Sequence, residues 1–307
     1  MSKEGLIIVN KPAGVTSHDV VAKVRRILKV KKIGHTGTLD PDATGVLVLM
    51  VGKATKIAQF LQIDTKEYRA EMVLGIKTDT QDASGKVIFK SVCDVSEEEV
   101  KQALEHFKGK IVQVPPMVSA IKINGERLYK LAREGKVVHR SPRTVDIFYI
   151  NFLGMTMGTN PIVNFVVGCS KGTYVRTLCT DIGDFLGCGA HLGKLIRTRC
   201  GDYSLNEALS IEQIEKLAVS SAIDDHFILM KDALKRFSSI IVKKPYVRDI
   251  LNGRFLVSKM IEEMSSKLEE GNFVKLLDES QNLLAVFKTV DCFEDDLVAK
   301  PIRVFAG

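Results

Sequence analysis

Gly34-His35-Thr36-Gly37-Thr38-Leu39-Asp40-Pro41-Asp42-Ala43-Thr44-Gly45 is a glycine-punctuated stretch that leads directly into an apolar run, Val46 to Val51. The glycines permit tight turns and close approach of the backbone to a ligand, and Pro41 favours extended backbone at Asp40. The stretch therefore predicts a loop that holds Asp40 beside a buried strand, where a carboxylate can be partly desolvated, as a nucleophile needs. The same residues also suit an ordinary turn or cap, because Asp-Pro-Asp is a common turn sequence.

On the N-terminal side of this loop, the sequence predicts a strand, a turn and a helix. Leu6 to Val9 is a short apolar run, and residues 10–14 have turn composition. Thr16 and Asp19 have the spacing of a capping box, and apolar residues at helical spacing follow: Val20, Val21, Val24, Ile27 and Leu28. Six cations form what we name the basic ridge: Lys23, Arg25, Arg26, Lys29, Lys31 and Lys32. The ridge suits either a solvated helix face or a contact with a polyanion.

On the C-terminal side of the loop, strands and helices follow without regular alternation. Ser96 and Glu99 form a second capping box that opens a helix, and residues 174–186 have the pattern of another helix, which Gly187 ends. Strands are predicted at 46–51, 68–74, 111–114, 145–152 and 162–169. This order predicts an α+β fold with a mixed sheet, and not a doubly wound parallel sheet.

After about residue 235 the sequence changes character. Short candidate strands separated by turn residues lie at 240–242, 273–277, 283–287 and 302–305. Such strands predict a small β-rich domain. We therefore expect a first domain at 1–235 and a second at 236–307, joined by a linker within 206–238.

The chain is basic, with 44 Lys and Arg against 37 Asp and Glu and a net charge of +7. Excess positive charge suits a polyanionic partner, since neutralised phosphates release counterions, although it also suits plain solubility. The strongest local imbalance lies in residues 122–143, which carry seven Lys or Arg and one His against two Glu.

Several function classes lack their motifs in this sequence. It has no Walker P-loop, no GxGxxG fingerprint and no zinc-protease or zinc-deaminase signature, and its six cysteines form no CxxC pair. We therefore expect no metal and no cofactor. The longest apolar run, 46–51, is far too short for a membrane span, and no signal peptide is evident. We expect a cytoplasmic protein with free thiols.

A second chemical feature is the segment Ser170-Lys171-Gly172-Thr173-Tyr174-Val175-Arg176-Thr177. Arg176 can fork onto a carboxylate and keep it ionised, and Tyr174 can stack on a nucleobase. The same residues also suit a helix start with a surface arginine and a half-buried tyrosine.

Eight blocks in chain order resemble the TruB-type transfer RNA pseudouridine synthases, which act on uridine 55. Each block alone is weak, but a chance match of all eight in order is implausible. The resemblance covers about residues 5–205, and the C-terminal part resembles the PUA-like RNA-binding domain of the family less strongly. The blocks are 10–19, 34–45, 66–69, 75–80 with Asp82 and Gly85, 114–120 with Lys122, 125–135, 169–177, and 187–191 with Leu195 and Arg197.

The resemblance implies a role for each matching residue. Asp40 matches the catalytic aspartate, Tyr68 the tyrosine that stacks on the flipped uracil, and Arg176 the arginine that pairs with the aspartate. His35, Tyr174 and Leu195 match the other contacts to the target nucleotide, with His35 helping to displace the flipped bases. RNA-backbone contacts are predicted for Lys11, Lys122, Arg127, Lys130 and Arg197.

The resemblance also implies the architecture and the reaction. The fold would be a mixed, largely antiparallel pseudouridine-synthase domain at 1–235, with a basic RNA-clasping segment at about 118–144, followed by a PUA-like domain at 236–307. The substrate would be the T-stem-loop of transfer RNA, bound by a monomer without an obligate protein partner. Breaking the N1–C1′ bond and rejoining at C5 involves no net redox change, which agrees with the missing cofactor motifs.

Three other interpretations remain open at this point. A related pseudouridine synthase depends on guide RNA and protein partners, whereas the compact loop and the 122–143 stretch favour a stand-alone enzyme. A non-catalytic RNA-binding protein or RNA chaperone can retain the same fold, although Asp40, Tyr68 and Arg176 favour catalysis. A structural basic protein without RNA function is the third.

Overall fold

The computed structural model describes residues 4–61, 63–119, 121–123, 125–136, 138–290 and 297–305. Within these ranges a nine-stranded sheet occupies the first two thirds of the chain and a six-stranded sheet the last quarter. The helices are α1 (Ser17–Leu28), α2 (Glu97–His106), α3 (Leu128–Arg133), α4 (Val175–Phe185), α5 (Ile211–Val219), α6 (Met230–Ala233) and α7 (Val247–Leu251).

The strands, in chain order, are β1 (Gly5–Lys11), β2 (Ile33–His35), β3 (Thr44–Val51), β4 (Thr65–Leu74), β5 (Ile76–Thr78), β6 (Val87–Lys90), β7 (Gly109–Gln113), β8 (Lys122–Ile123), β9 (Glu126–Arg127), β10 (Arg143–Thr156), β11 (Ile162–Ser170), β12 (Ala190–Cys200), β13 (Tyr203–Ser204), β14 (Ser238–Val242), β15 (Leu256–Val257), β16 (Ile261–Met264), β17 (Phe273–Leu277), β18 (Leu283–Thr289) and β19 (Leu297–Val304). Short 3₁₀ segments connect them at Gly52–Phe60, Leu205–Glu207, Ile223–His226, Lys244–Tyr246 and Ser258–Met260.

The large sheet has the strand order β1-β3-β12-β4-β11-β10-β7, with β2 beside β3 and β13 beside β12. Its pairs are antiparallel, apart from a short parallel contact between β3 and β12. The prediction of an α+β fold with a mixed, largely antiparallel sheet is therefore confirmed. The predicted pair 145–152 and 162–169 is also confirmed, since β10 and β11 are neighbours.

Helix α1 begins where its capping box predicts. The Thr16 side chain accepts a hydrogen bond from Asp19 N at 3.1 Å, and Asp19 Oδ2 accepts one from Thr16 N at 2.9 Å. Its apolar face packs in one cluster with β1, β3 and α5, through Val20, Val24 and Leu28. The second predicted capping box, at Ser96, opens α2 in the same way. These local signals depend on adjacent residues, which is why the sequence reveals them.

The C-terminal sheet has the order β15-β19-β18-β17-β14-β16. The four strands predicted in this part are confirmed as β14, β17, β18 and β19, and two short strands, β15 and β16, were not predicted. Val286 and Phe305 of this part share an apolar cluster with Leu6 and Ile8 of β1. The two sheets are thus in apolar contact, while the domain limits at 235 and 236 stay a prediction. None of the described helices is long and apolar enough to cross a membrane.

Candidate active site

The loop between β2 and β3 is fastened on both sides of Asp40. Leu39 N donates a hydrogen bond of 2.9 Å to Ser17 Oγ, at the start of α1. Pro41 O accepts hydrogen bonds from Lys11 Nζ at 2.7 Å and from Gly14 N at 3.0 Å. Both neighbours of Asp40 are therefore tied to the turn between β1 and α1, which fixes the direction of its carboxylate.

Arg176, the second residue of α4, is 3% exposed and faces this carboxylate. Its Nε lies 3.1 Å from Asp40 Oδ2, and its Nη2 lies 3.3 Å from Asp40 Oδ1. Nη2 also donates to Val118 O at 2.7 Å, and Nη1 donates to Thr80 O and to Asp82 Oδ2, both at 3.2 Å. Each of the guanidinium N–H groups thus has an oxygen partner, so Arg176 is a rigid support for Asp40.

Asp82 is a second carboxylate on the same guanidinium, and it was not among the predicted site residues. Its Oδ1 accepts hydrogen bonds from Thr80 Oγ1 and Ser84 Oγ, both at 2.6 Å, which orient Oδ2 toward Arg176. In the sequence, Asp82 stands out only as part of a block that resembles the family. The signal available was an Asp in a turn rich in Asp, Thr and Ser, but its partner lies 94 residues away.

A cavity of about 240 Å³ opens beside Asp40. The structure brings five of the predicted site residues to this one place: Asp40, Tyr68, Tyr174, Arg176 and Leu195. The remaining lining residues are Gly37, Thr38, Leu39, Lys66, Ser119, Gly172, Thr173 and Val175. The cavity therefore offers aromatic and apolar side chains beside an ion pair whose arginine is buried and whose carboxylate is open to the cavity.

Tyr68 and Tyr174 are held by different parts of the fold. Tyr68 lies on β4, paired with Val167 of β11 and Arg197 of β12, and is 7% exposed. Burial raises the pKa of its phenol to about 12, so the hydroxyl stays protonated near neutral pH. Tyr174 precedes α4, and its backbone N and O are both bonded to the Gln113 side chain, at 3.0 and 3.2 Å.

The Asp40 carboxylate is 44% exposed because it opens onto the cavity. Desolvation by the surrounding protein raises its pKa, the Arg176 guanidinium lowers it, and the Asp82 carboxylate raises it. Lys11 lowers the pKa further and Asp42 raises it, and because burial is the largest effect, the net result is a raised pKa for Asp40.

His35 stands apart from the cavity lining. It ends β2, and its ring packs edge-on against His18 with 5.4 Å between centroids. Desolvation lowers the pKa of its imidazole, so the ring is neutral near neutral pH. Its contact with displaced bases stays a prediction.

Two predicted RNA-backbone contacts are wrong. Lys11 and Arg197 are both 0% exposed. Lys11 Nζ donates to the carbonyls of Pro12, Val15 and Pro41, at 2.8, 2.6 and 2.7 Å, and Arg197 donates to carbonyls of the Asp40 loop and β3. These cations support the loop from inside the protein, where RNA phosphates have no access.

Three further residues were predicted to contact the RNA backbone: Lys122, Arg127 and Lys130. Lys130 is exposed on α3, so its phosphate contact stays a prediction. The side chains of Lys122 and Arg127 lie outside the described residues.

Neither metal chemistry nor serine-nucleophile chemistry is supported by the described part of the chain. No group of three or more His, Cys, Asp and Glu side chains within it can hold a metal ion. Residues 168–172 match the letters GxSxG of a hydrolase nucleophile. However, Ser170 Oγ accepts a hydrogen bond from Asp146 N at 2.9 Å, and none of its hydrogen bonds within the described ranges involves a histidine.

Solved structures support the fold. The chain is similar over 99% of its length to a protein in "Structure of H/ACA RNP bound to a substrate RNA containing 2'-deoxyuridine", with a TM-score of 0.73, 26% identity and 86% of that chain covered. It is equally similar to one in "Crystal Structure of a Cbf5-Nop10-Gar1 Complex", with a TM-score of 0.72, 28% identity and 85% of that chain covered.

Sequence relatives are more similar still. The tRNA pseudouridine synthase B of Bacillus cytotoxicus is 42% identical over 290 residues, covering 93% of this chain and 92% of that protein. The protein of the same name from Alkaliphilus oremlandii is 45% identical over 257 residues, covering 84% of each. Residues 25–175 match the TruB family pseudouridylate synthase (N terminal domain), and residues 176–237 match the tRNA pseudouridylate synthase B C-terminal domain. The chain therefore belongs to the TruB family of pseudouridylate synthases.

Proposed function

We propose that this protein converts uridine 55 in the T-loop of transfer RNA into pseudouridine, with Asp40 as the essential carboxylate. The observation that carries the proposal is the Asp40–Arg176 pair, which opens onto a cavity walled by Tyr68 in a member of the TruB family. The relatives that bear the name tRNA pseudouridine synthase B supply the substrate class.

The reaction is an isomerisation in which atoms and electrons balance without a second substrate. The N1–C1′ bond of uridine breaks, the uracil turns, and a C5–C1′ bond forms. The proton that leaves C5 is matched by a proton gained at N1. Neither an oxidant nor an energy donor is consumed, so the residues of the chain suffice.

Access to the base is the first task of the site. Taking a base out of a stacked loop costs a few kcal/mol, and stacking on an aromatic side chain such as Tyr68 returns about 1–3 kcal/mol. Phosphate contacts by exposed cations of the basic ridge and of the 118–144 segment would supply the remainder.

The carboxylate chemistry comes next. Three routes begin from an ionised Asp40: attack at C1′, addition at C6, and assistance of a glycal-type elimination. Arg176 favours all three, because its guanidinium lowers the pKa of a carboxyl whose pKa burial raises. Tyr68 serves as a stacking surface and takes part in proton transfer, and its phenol is protonated near neutral pH.

The proposal extends to parts of the chain beyond the cavity. Residues 1–235 would form the catalytic domain, 236–307 a PUA-like RNA-binding domain, and about 118–144 a segment that closes on RNA. The enzyme would act as a cytoplasmic monomer without guide RNA, although the two similar solved structures are of multi-component complexes.

The test is incubation of the purified chain with an unmodified T-stem-loop, without guide RNA, followed by mapping of pseudouridine. We expect modification at the position of uridine 55 and a loss of roughly 10³-fold or more for Asp40→Asn. Asp42→Asn is the matched control, because Asp42 is exposed in the same loop, and its rate should stay within a few fold of wild type.

Two outcomes would contradict the proposal. Equal modification by wild type and Asp40→Asn would show that Asp40 is not the essential carboxylate. RNA binding by wild type without any modification would identify a binding protein that retains the fold.

A further inference from the structure

Lys66 is a cation in the cavity wall that the proposed reaction does not use. It lies on β4 two residues before Tyr68, and both line the cavity, as residues two apart on a strand face the same side. Its backbone is paired with Cys169 of β11 on one side and with Cys200 of β12 on the other. Lys66 is therefore built into the centre of the sheet and not onto a mobile rim.

The charge of Lys66 has no close counter-ion within the described residues. Its Nζ donates one hydrogen bond, of 3.3 Å, to Ile63 O, and no carboxylate oxygen of the described residues lies within 4.0 Å of it. The two nearest acids along the chain have other partners: Glu67 accepts hydrogen bonds from Tyr149 Oη at 2.5 Å and Thr198 Oγ1 at 2.6 Å, and Asp64 is paired with Lys171 at 2.9 Å. Desolvation lowers the pKa of Lys66, so an anionic ligand would restore part of the solvation that burial removes.

The position of Lys66 points to the backbone of the ligand and not to its base. Tyr68 is buried deep in the cavity, whereas Lys66 is half-buried. Lys66 Cε would lie only 3.7 Å from a Cβ built on Gly37, and Thr38 beside it is exposed. Lys66 thus lies between the buried Tyr68 and the exposed rim of the cavity, at the depth where the sugar-phosphate chain would lie if a nucleotide entered base first.

We propose that Lys66 binds a phosphate of the nucleotide whose base occupies the cavity. The inference rests on the proposed function, because it deepens the same site. A flipped nucleotide brings its flanking phosphates to the mouth of its pocket, and a lysine ammonium is a compact charge suited to a phosphate oxygen.

The test is a binding cycle between this side chain and single phosphates. The probes are an unmodified T-stem-loop and the same RNA with one methylphosphonate, either 5′ or 3′ of the target uridine. The variants are Lys66→Gln, which keeps a donor for Ile63 O, Lys66→Arg, which keeps the charge, and the control Lys101→Met on the exposed face of α2. Equilibrium binding and single-turnover rates at saturating RNA are measured, with thermal unfolding for each variant.

We expect Lys66→Gln to weaken binding of the natural RNA by roughly tenfold or more, with the saturated rate within a few fold of wild type. At one of the two positions, the methylphosphonate should weaken wild type by a similar factor and abolish the difference between wild type and Lys66→Gln. Lys66→Arg should retain most of the affinity, and Lys101→Met should match wild type.

The inference is overturned if Lys66→Gln binds natural RNA as tightly as wild type, or if it loses the same factor on all three RNAs. If Lys66→Gln does not fold, the cycle is run with Lys66→Met, which also removes the charge, and the inference is overturned if wild type loses no affinity on either methylphosphonate RNA. Failure of the proposed function gives a different result: wild type binds RNA but forms no pseudouridine. The binding measurements on Lys66 and the phosphates can be interpreted in either case.

Discussion

At the scale of single residues, the opposing neighbours of Asp40 set the pH at which the site is charged. Arg176 lowers the pKa of the Asp40 carboxyl, and Asp82, on the far side of the same guanidinium, raises it. An ionised carboxylate is required in all three routes. Activity should therefore be complete above the pKa of Asp40 and decline as the pH falls through it.

The pH at which activity declines on the acid side, called the acid limb, should move upward when Arg176 is removed and downward when Asp82 is removed. Arg176→Met removes the cation, raises the pKa of Asp40, and shifts the limb upward by about 1 unit or more. Asp82→Asn removes the anion, lowers that pKa, and shifts the limb downward by less, because Asp82 is farther from Asp40. The measurement is kcat/KM for pseudouridine formation across acid and neutral pH.

Both variants should also lose rate, because each disturbs the support of Arg176, so the direction of the pH shift is the discriminating result. A limb that moves the same way in both variants would contradict the electrostatic assignment. The Asp42→Asn protein gives the comparison for a weaker anion in the same loop: Asp42 raises the pKa of Asp40 less than Asp82 does, so its limb should move downward by less than that of Asp82→Asn.

The blocks that resemble the family identified the residues of the ion pair, but they did not reveal that two of the predicted RNA contacts are buried. Asp40 and Arg176 were found through matching blocks, although 136 residues separate them. Lys11 and Arg197 also lie in matching blocks and were predicted to contact the RNA backbone, but both are 0% exposed. Only the tertiary structure reveals the backbone carbonyls that accept their hydrogen bonds.

At the scale of elements, the parallel contact between β3 and β12 decides how the Asp40 loop meets the rest of the cavity. Strand β3 leaves the loop, and β12 carries Leu195 on the cavity wall. Gly45 lies at their contact with φ +103, and a Cβ there would stand 2.2 Å from Arg197 O. No side chain fits this position unless the two strands separate.

Gly45→Ala should therefore destabilise the protein by more than about 3 kcal/mol and reduce activity with it. Gly14→Ala is the matched control, because Gly14 also has a positive φ, +79, but has no atom within 4 Å of an added Cβ. It should cost only about 1–2 kcal/mol of backbone strain. Urea unfolding of both variants measures the difference.

Equal destabilisation in the two glycine variants would mean that backbone conformation, and not the approach of β12, explains why position 45 is a glycine.

Gly45 itself was visible in the sequence, and so were the capping boxes of α1 and α2. Its partner was not, because strand pairing at long range leaves no local signal. The short strands β15 and β16 were missed because two to four residues are too few for an alternating pattern.

At the scale of the whole molecule, the sequence does not reveal how charge is distributed over the surface or how the two parts of the chain are in contact. The net charge of +7 was countable, but not its distribution over the folded surface. Phe60 of the 3₁₀ segment after β3, Phe237 just before β14 and Phe273 of β17 are in aromatic contact, with ring centroids 5.4–6.1 Å apart, and this contact joins residues distant in the chain. All six cations of the basic ridge are exposed, as a contact with a polyanion requires.

The basic ridge allows local phosphate contact to be separated from general attraction. Neutralising Arg25, Arg26 and Lys31 to Gln lowers the net charge by three, and so does neutralising three exposed lysines elsewhere: Lys86, Lys90 and Lys101. If the ridge contacts RNA, the first variant should reduce the slope of log affinity against log salt by up to about three, and the control should leave it nearly unchanged. Transfer RNA binding measured over a range of salt concentrations gives both slopes. An equal decrease in the two variants would assign the attraction to the net charge of the molecule, since only a local contact depends on which three cations are removed.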